Sequence, residues 1–273
     1  AGLMGRLVAL KLAERGVNVV LFDKDKRNGH ESAAYAAAGM LAPFSESLIC
    51  EANIVQMGVE SLSLWPKMLK SLDGYSYFQQ QGTLLVSHEQ DQGDFLRFQR
   101  HIQRHFPDRF HCVARDGIAE LEPDIARKFN QGIYLPQEGQ IGNRKLLVAL
   151  QEQLEKLDIV WHCETTVEAV TRLSGGKYQL SAQQRDEQLA LTVDLVIDCR
   201  GAGARLRQGT SAHAIKPING LRAVRGELFQ LFAPEVNISR PIRLMHPRYQ
   251  LYIVPKTKGF FVVGATEIES DDT

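Results

Sequence analysis

The chain holds 273 residues, 44% of them hydrophobic, which is enough for one large domain or two smaller ones. Its 32 basic and 32 acidic residues cancel, and the absence of a polybasic stripe argues against an electrostatic nucleic-acid binder. Cys50, Cys112, Cys163 and Cys199 lie far apart without zinc spacing, which points to a reduced, cytoplasmic protein, and no apolar run is long enough to span a bilayer.

The first element is a helix over 3–15, where Leu7, Val8, Leu10 and Leu12 recur at near-helical spacing up to Gly16. The apolar run Asn18–Asp23 reads as a buried parallel strand ending in an acid. A small-residue loop covers 32–43, and 51–72 predicts a helix broken at Pro66. A strand at 82–87 and an amphipathic helix at 91–106 follow, then a short strand at 132–136. Asn143 is placed to cap a helix running to Leu157. Strand signals then crowd at 158–163, 166–170, 177–183 and 188–192, with Gly175-Gly176 as a hairpin turn. Val193–Cys199 reads as another buried strand leading into Gly201. From 221 onward the pattern is β-rich, through Arg225–Phe232, Tyr249–Pro255 and Gly259–Thr266. The expected fold is therefore α/β: a Rossmann-like domain at 1–72 and 139–216, interleaved with a mixed-sheet substrate domain at 73–138 and 217–273.

Gly2-Leu3-Met4-Gly5 has the spacing of the last two glycines in a G-x-G-x-x-G motif. There, glycine lets the backbone approach a pyrophosphate, and the helix N-terminus offers free N–H groups to it. Asp23, followed by Lys24, ends the next strand, where an acid can accept hydrogen bonds from a ribose. The motif marks an adenosine-diphosphate site but does not separate NAD from FAD. The strand and glycine that would precede it lie outside the sequence, so the chain on its own is expected to bind cofactor weakly and to turn over poorly.

Six segments separate the two cofactors. Ala36–Pro43 (AAAGMLAP), Gly82-Thr-Leu, Leu121-Glu-Pro, Val224-Arg-Gly-Glu, Tyr252-Ile-Val-Pro and Val262-Val-Gly-Ala-Thr occur in an order that resembles the glycine oxidase branch of the D-amino-acid oxidase family. The resemblance runs from Ala1 to about Asp272. It implies FAD, with Gly2–Gly5, Asp23 and Lys24 at the ADP half, Val167 beside the adenine, and Ala38-Gly39-Met40 and Gly201 approaching the cofactor. It also implies that Tyr252 contacts substrate, while the family's carboxylate-binding arginine would follow the Gly-Ala-Thr segment, beyond this sequence. Glu267 departs from the family pattern, in which an apolar residue follows Gly-Ala-Thr.

The implied reaction is oxidation of glycine or another small amine to its imine, with dioxygen reduced to hydrogen peroxide, in the service of thiamine thiazole synthesis. A homo-oligomer is compatible with this reading. Alternatives are an amino-acid dehydrogenase or tRNA-modification oxidoreductase of the same fold, a non-catalytic flavoprotein, and a nicotinamide enzyme. Arg240, Arg243, His246 and Arg248 read as a solvated cationic face, and His101 and His105 as a solvated helix face.

Overall fold

The computed structural model describes every residue except Asp158, Arg207, 210–213, 247, 249–250 and 270–273, and only the backbone of Lys258. Asp158 of the strand expected at 158–163, and Tyr249 and Gln250 of that expected at 249–255, thus lie outside the described residues.

Helix α1 (Leu3–Ala13) ends near Gly16, whose φ of 76° is a left-handed conformation that glycine adopts without a side-chain penalty. Strand β1 (Val20–Phe22), the short helix α2 (Ala33–Ala36) and strand β2 (Met40–Leu41) follow. Helix α3 (Ala52–Lys70) runs straight through Pro66 rather than breaking there. The proline costs roughly 3 kcal/mol in a helix interior. Burial of Val55, Leu62 and Trp65 on one face, at about 1.5–3 kcal/mol each, offsets it.

The middle of the chain supplies β3 (Phe78–Gln79), β4 (Thr83–Ser87), α4 (Gln92–His105), β5 (His111–Ala114), α5 (Arg115–Leu121), α6 (Pro123–Ala126), β6 (Gln131–Leu135) and β7 (Gly139–Ile141). Then come α7 (Asn143–Lys156), β8 (Val160–His162), β9 (Thr165–Arg172), β10 (Tyr178–Gln184) and β11 (Glu187–Val193). The last strands are β12 (Leu228–Phe232), β13 (Ile242–Met245), β14 (Leu251–Pro255) and β15 (Phe260–Gly264).

The strands form four sheets. β1 and β8 pair in parallel, as expected for 18–23, but β1 is only half-buried. β9, β10 and β11 make an antiparallel meander turning at Gly175-Gly176, both at positive φ. β2, β7 and β3 form a small antiparallel sheet. The seven-stranded sheet has the order β12-β15-β14-β13-β4-β6-β5 and draws every strand from 73–138 and 217–273. Its one parallel pair, β13 with β4, joins the two chain segments.

The two faces of this sheet are packed differently. Leu85 and Ile133 lie in a core with Phe44, Leu62, Phe95, Phe98 and Ile102, beneath α3 and α4. Leu84, Val86 and Ile242 face the other way, onto Ile118 of α5 and Ala126 of α6. A third core joins α1, α3 and α7 through Leu10, Trp65, Leu146 and Leu150.

Two further local expectations fail. Asn143 does not cap α7: it is the first helical residue, and its Nδ2 donates to the carbonyls of Ala34, Tyr35 and Ala37 at 2.6, 3.2 and 2.8 Å. The amide thereby satisfies the loop before β2 instead of its own helix. Val193–Cys199 is not a buried strand either. The chain leaves β11 at Val193 and continues without ladder bonds among the described residues, with Leu195 and Ile197 67% and 47% exposed. Apolar run length selects a strand only where a neighbour accepts its backbone groups.

Candidate active site

The α1 N-terminus, the end of β1 and Cys199 converge. Gly2 precedes α1 in extended conformation, and no side chain caps the helix, so its first N–H groups are open to an anion. A Cβ on Gly5 would lie 3.4 Å from Ala1 Cβ and 3.7 Å from Cys199 Cβ, an ordinary contact that sets the helix against both segments. Leu3 and Met4 fill the first turn, Met4 turned outward at 64% exposure.

Asp23 closes β1; its N–H donates to His162 O at 2.9 Å, and its carbonyl accepts from Thr165 N at 2.9 Å. Its carboxylate contacts the backbone nitrogen of Ala1, which joins it to the helix start. Lys24 is exposed and stands 3.9 Å from Asp25. Val167 lies on β9, two residues beyond Thr165, and Gly201 opens a 3-10 turn at φ 58° with free space where a Cβ would be. An uncapped helix end, an adjacent carboxylate and a glycine with open space at its Cβ position suit the ADP portion of a dinucleotide.

Arg6 sits in this helix turn but faces inward, fully buried. Its Nε donates to Ala1 O at 2.8 Å, Nη1 to Leu147 O at 2.5 Å and Nη2 to Arg27 O at 2.5 Å, with the guanidinium 5.1 Å from the Trp161 ring centre. Burial lowers its pKa to about 10. Nothing in the helical periodicity distinguishes such an arginine from a solvent-facing one.

Ala38, Gly39 and Met40 form a second cluster with the last strands. Gly39 has φ 75°, and a Cβ there would stand 2.3 Å from Ile141 O, so no other residue fits. Gly39 O accepts from Ile141 N at 2.8 Å, and Met40 pairs with Gln140. Lys256, just after β14, places Nζ 2.6 Å from Ala38 O. Burial, followed by repulsion from Arg144, lowers its pKa to about 8. Sequence reasoning missed Lys256, whose only signal is its place after Tyr252-Ile-Val-Pro.

Tyr252 belongs to a row of paired residues that crosses the seven-stranded sheet in the order Cys112, Ile133, Leu85, Arg243, Tyr252, Gly264, Leu228. Directly paired residues share a face. The row starts at exposed Cys112, crosses the apolar core at Ile133 and Leu85, turns polar at Arg243 and Tyr252, and reaches Gly264, where a Cβ would lie 3.4 Å from the Tyr252 hydroxyl and 2.0 Å from Leu228 Cδ2. Burial raises the Tyr252 pKa, opposed by Arg243 and assisted by Glu46.

The expected cationic face is absent in that form. Arg243 is 7% exposed and ion-paired with Glu46, which the chain brings in six residues after Met40. Arg240 joins Glu122 of the Leu-Glu-Pro segment at 2.9 Å, donates to Gln81 O and Leu121 O, and lies over the Tyr134 ring. Strand β13, four residues with Arg243 between Ile242 and Leu244, is too short to show a period in the sequence. His101 is likewise not a purely solvated group: its Nε2 meets Ser47 Oγ at 3.1 Å, its ring lies tilted against His105 with centroids 4.8 Å apart, and burial lowers its pKa. Glu267 is exposed.

Glu138 was also not anticipated. It is fully buried between β6 and β7 and accepts from Phe44 N, Ser45 N and Ser45 Oγ at 2.8, 2.7 and 2.9 Å. Burial pushes its pKa up to about 7 against those hydrogen bonds. It anchors the loop that carries Glu46.

The chain is similar to known proteins over its whole length. The family model described as DAO, FAD dependent oxidoreductase, matches residues 1–273. A putative thiamine biosynthesis oxidoreductase from Rhizobium etli is 33% identical over 272 residues, covering 100% of this chain and 71% of that protein. A bifunctional ThiO/ThiG protein from Synechocystis is 25% identical over 99% of this chain, which spans only 38% of that protein. Among solved structures, glycine oxidase from Geobacillus kaustophilus aligns with a TM-score of 0.78 at 22% identity, covering 98% of this chain and 70% of that one. An FAD-bound L-α-glycerophosphate oxidase from Mycoplasma pneumoniae aligns with a TM-score of 0.78 at 17% identity, over 99% of this chain and 70% of that one. No helix among the described residues is long and apolar enough to cross a membrane. The expected cofactor and fold class therefore stand, and the chain belongs to the FAD-dependent oxidoreductase family of the D-amino-acid oxidase type.

Proposed function

We propose that this protein oxidises a small amine or amino acid, glycine first among them, to the imine, with dioxygen as acceptor and thiamine thiazole synthesis as the destination. The observation that carries the reading is the bond from Lys256 Nζ to Ala38 O: it ties the small-residue loop to the strand that bears Tyr252. The relatives named for thiamine biosynthesis and glycine oxidase support the substrate class. Segments 1–72 and 139–216 act as the FAD domain and 73–138 and 217–273 as the substrate domain, in the cytoplasm.

Bound FAD supplies a two-electron acceptor. The chain's own part is positioning. Gly2, Leu3, Met4 and Gly5 offer backbone N–H groups to the pyrophosphate, Asp23 and Lys24 flank the ribose, and Val167 and Gly201 border the adenosine half. Ala38, Gly39 and Met40 leave room for a planar ring. Tyr252, over Gly264, walls the substrate cavity and donates its hydroxyl. Oxidation removes a hydride from carbon and a proton from nitrogen, leaving the imine; dioxygen takes up two electrons and two protons as hydrogen peroxide. Such a reaction depends on orientation more than on a side-chain acid.

The test is the visible spectrum of the holoenzyme before and after anaerobic glycine, followed by a peroxide assay with glycine, sarcosine and D-alanine. Bleaching with peroxide on reoxidation is expected. Bleaching without peroxide makes the enzyme a dehydrogenase, and flavin that no amine reduces removes the catalytic reading.

A further inference from the structure

The Glu46–Arg243 pair occupies the point where the cross-sheet row turns from apolar to polar. Arg243 is buried, is the direct ladder partner of Tyr252, and shares its face. Glu46 reaches it from the loop that follows Ala38-Gly39-Met40, and that loop is held by Glu138 through Phe44 N and Ser45 N. The glutamate side chain is 37% exposed, in contrast to the 9% of its arginine partner. A carboxylate offers about four acceptor directions, and Arg243 engages Oε1. A partly exposed carboxylate, clamped beside a substrate-wall tyrosine by a buried cation, is a preorganised acceptor for N–H groups.

Building on the proposed amine oxidation, we infer that Glu46 is a substrate-binding residue that accepts a hydrogen bond from the amine nitrogen, and that Arg243 is the positioning residue that aims it. This recognition is distinct from that of the substrate carboxylate. It selects an N–H donor over a hydrocarbon or ether of the same shape, because a charged acceptor left without a donor in a closed site is penalised. Arg243 also keeps the site's net charge near neutral, so Glu46 does not repel an anionic amino acid as a lone carboxylate would.

The test is an anaerobic titration of full-length holoenzyme and of Glu46→Gln, followed through the flavin absorbance. Glycine and sarcosine serve as N–H donors, and acetate as a carboxylate without one. Glu46→Gln is expected to raise the apparent Kd for glycine tenfold or more, the scale of a hydrogen bond to a charged group, and to leave the acetate Kd within about twofold. Glu46→Asp keeps the charge and should recover part of the glycine affinity. An unchanged glycine Kd, or equal weakening of glycine and acetate, overturns the inference while leaving amine oxidation intact. Parent enzyme bleached by no amine removes both. Retained flavin absorbance in each variant shows that the fold survived the substitution.

Discussion

Arg240 and Arg243 lie on one short segment, and each meets a glutamate, but the two pairs have opposite surroundings. Glu122 is 1% exposed and accepts from Ser239 N and Oγ and from Arg240 N and Nε, so its lone pairs are taken up by its own chain. The Glu46 carboxylate meets Arg243 alone among the described residues, with more than a third of the side chain accessible. The first pair latches the Leu-Glu-Pro turn to the start of β13. The second holds an acceptor where a ligand can reach it. Burial and saturation, rather than the presence of an ion pair, separate a structural carboxylate from one available for binding.

The largest way to break this contrast is at the saturated site. Glu122→Ala leaves the Arg240 guanidinium and two backbone N–H groups without their acceptor, and is expected to cost about 3–5 kcal/mol in urea unfolding. An equal loss on Glu46→Ala would erase the distinction.

Glu138 sharpens it, being sealed by N–H donors. Its folded pKa of about 7 lies above the ordinary 4.5, so the native state holds more protons than the unfolded one between those values. Its contribution to stability is present below pH 4.5 and is lost as pH rises toward 7. Compared with Glu138→Gln, the parent should lose on the order of 3 kcal/mol across that window, measured by unfolding at several pH values. Parallel profiles would mean that the carboxylate ionises freely.

Lys256 has the opposite linkage. Its folded pKa of about 8 lies below 10.5, so the native state holds fewer protons there, and stability relative to Lys256→Met rises with pH between those values. The gain should be roughly 1–3 kcal/mol, read by the same unfolding series. The smallest effect belongs to Glu46→Gln, which keeps an acceptor on Arg243 and should change stability by less than about 1 kcal/mol. A larger loss would place Glu46 with Glu122 as a latch.

The elements most legible in the sequence were those whose periodicity and burial agree. Helices α1, α4 and α7 and the hairpin at Gly175-Gly176 fall within a few residues of expectation. The two- to four-residue strands β2, β3, β5 and β7 carry too few side chains to show a period. Among the candidate site residues, Gly2, Gly5 and Asp23 are legible because their spacing follows a known motif. Gly39 was found through its neighbours, although its positive φ and its approach to Ile141 O supply the physical reason. Arg243, Glu46, Glu138 and Lys256 were not readable, since a charge in the sequence does not reveal which cavity or backbone carbonyl the fold sets against it. Val193–Cys199 shows the converse: its apolar run predicts a buried strand, but the described residues give 194–199 no ladder partner.

Arg6 has a further consequence for ligand selectivity. All three nitrogens of its guanidinium donate to main-chain carbonyls, of Ala1, Leu147 and Arg27, so the buried cation is held in place beside the start of α1. The helix end therefore meets an anion with oriented dipoles rather than with a mobile cation. Dipoles act over short range and reward exact placement, so a free phosphate ion gains little there, whereas a dinucleotide anchored at its ribose gains fully. Ionic strength should then have only a weak influence on how tightly that end of the ligand is held.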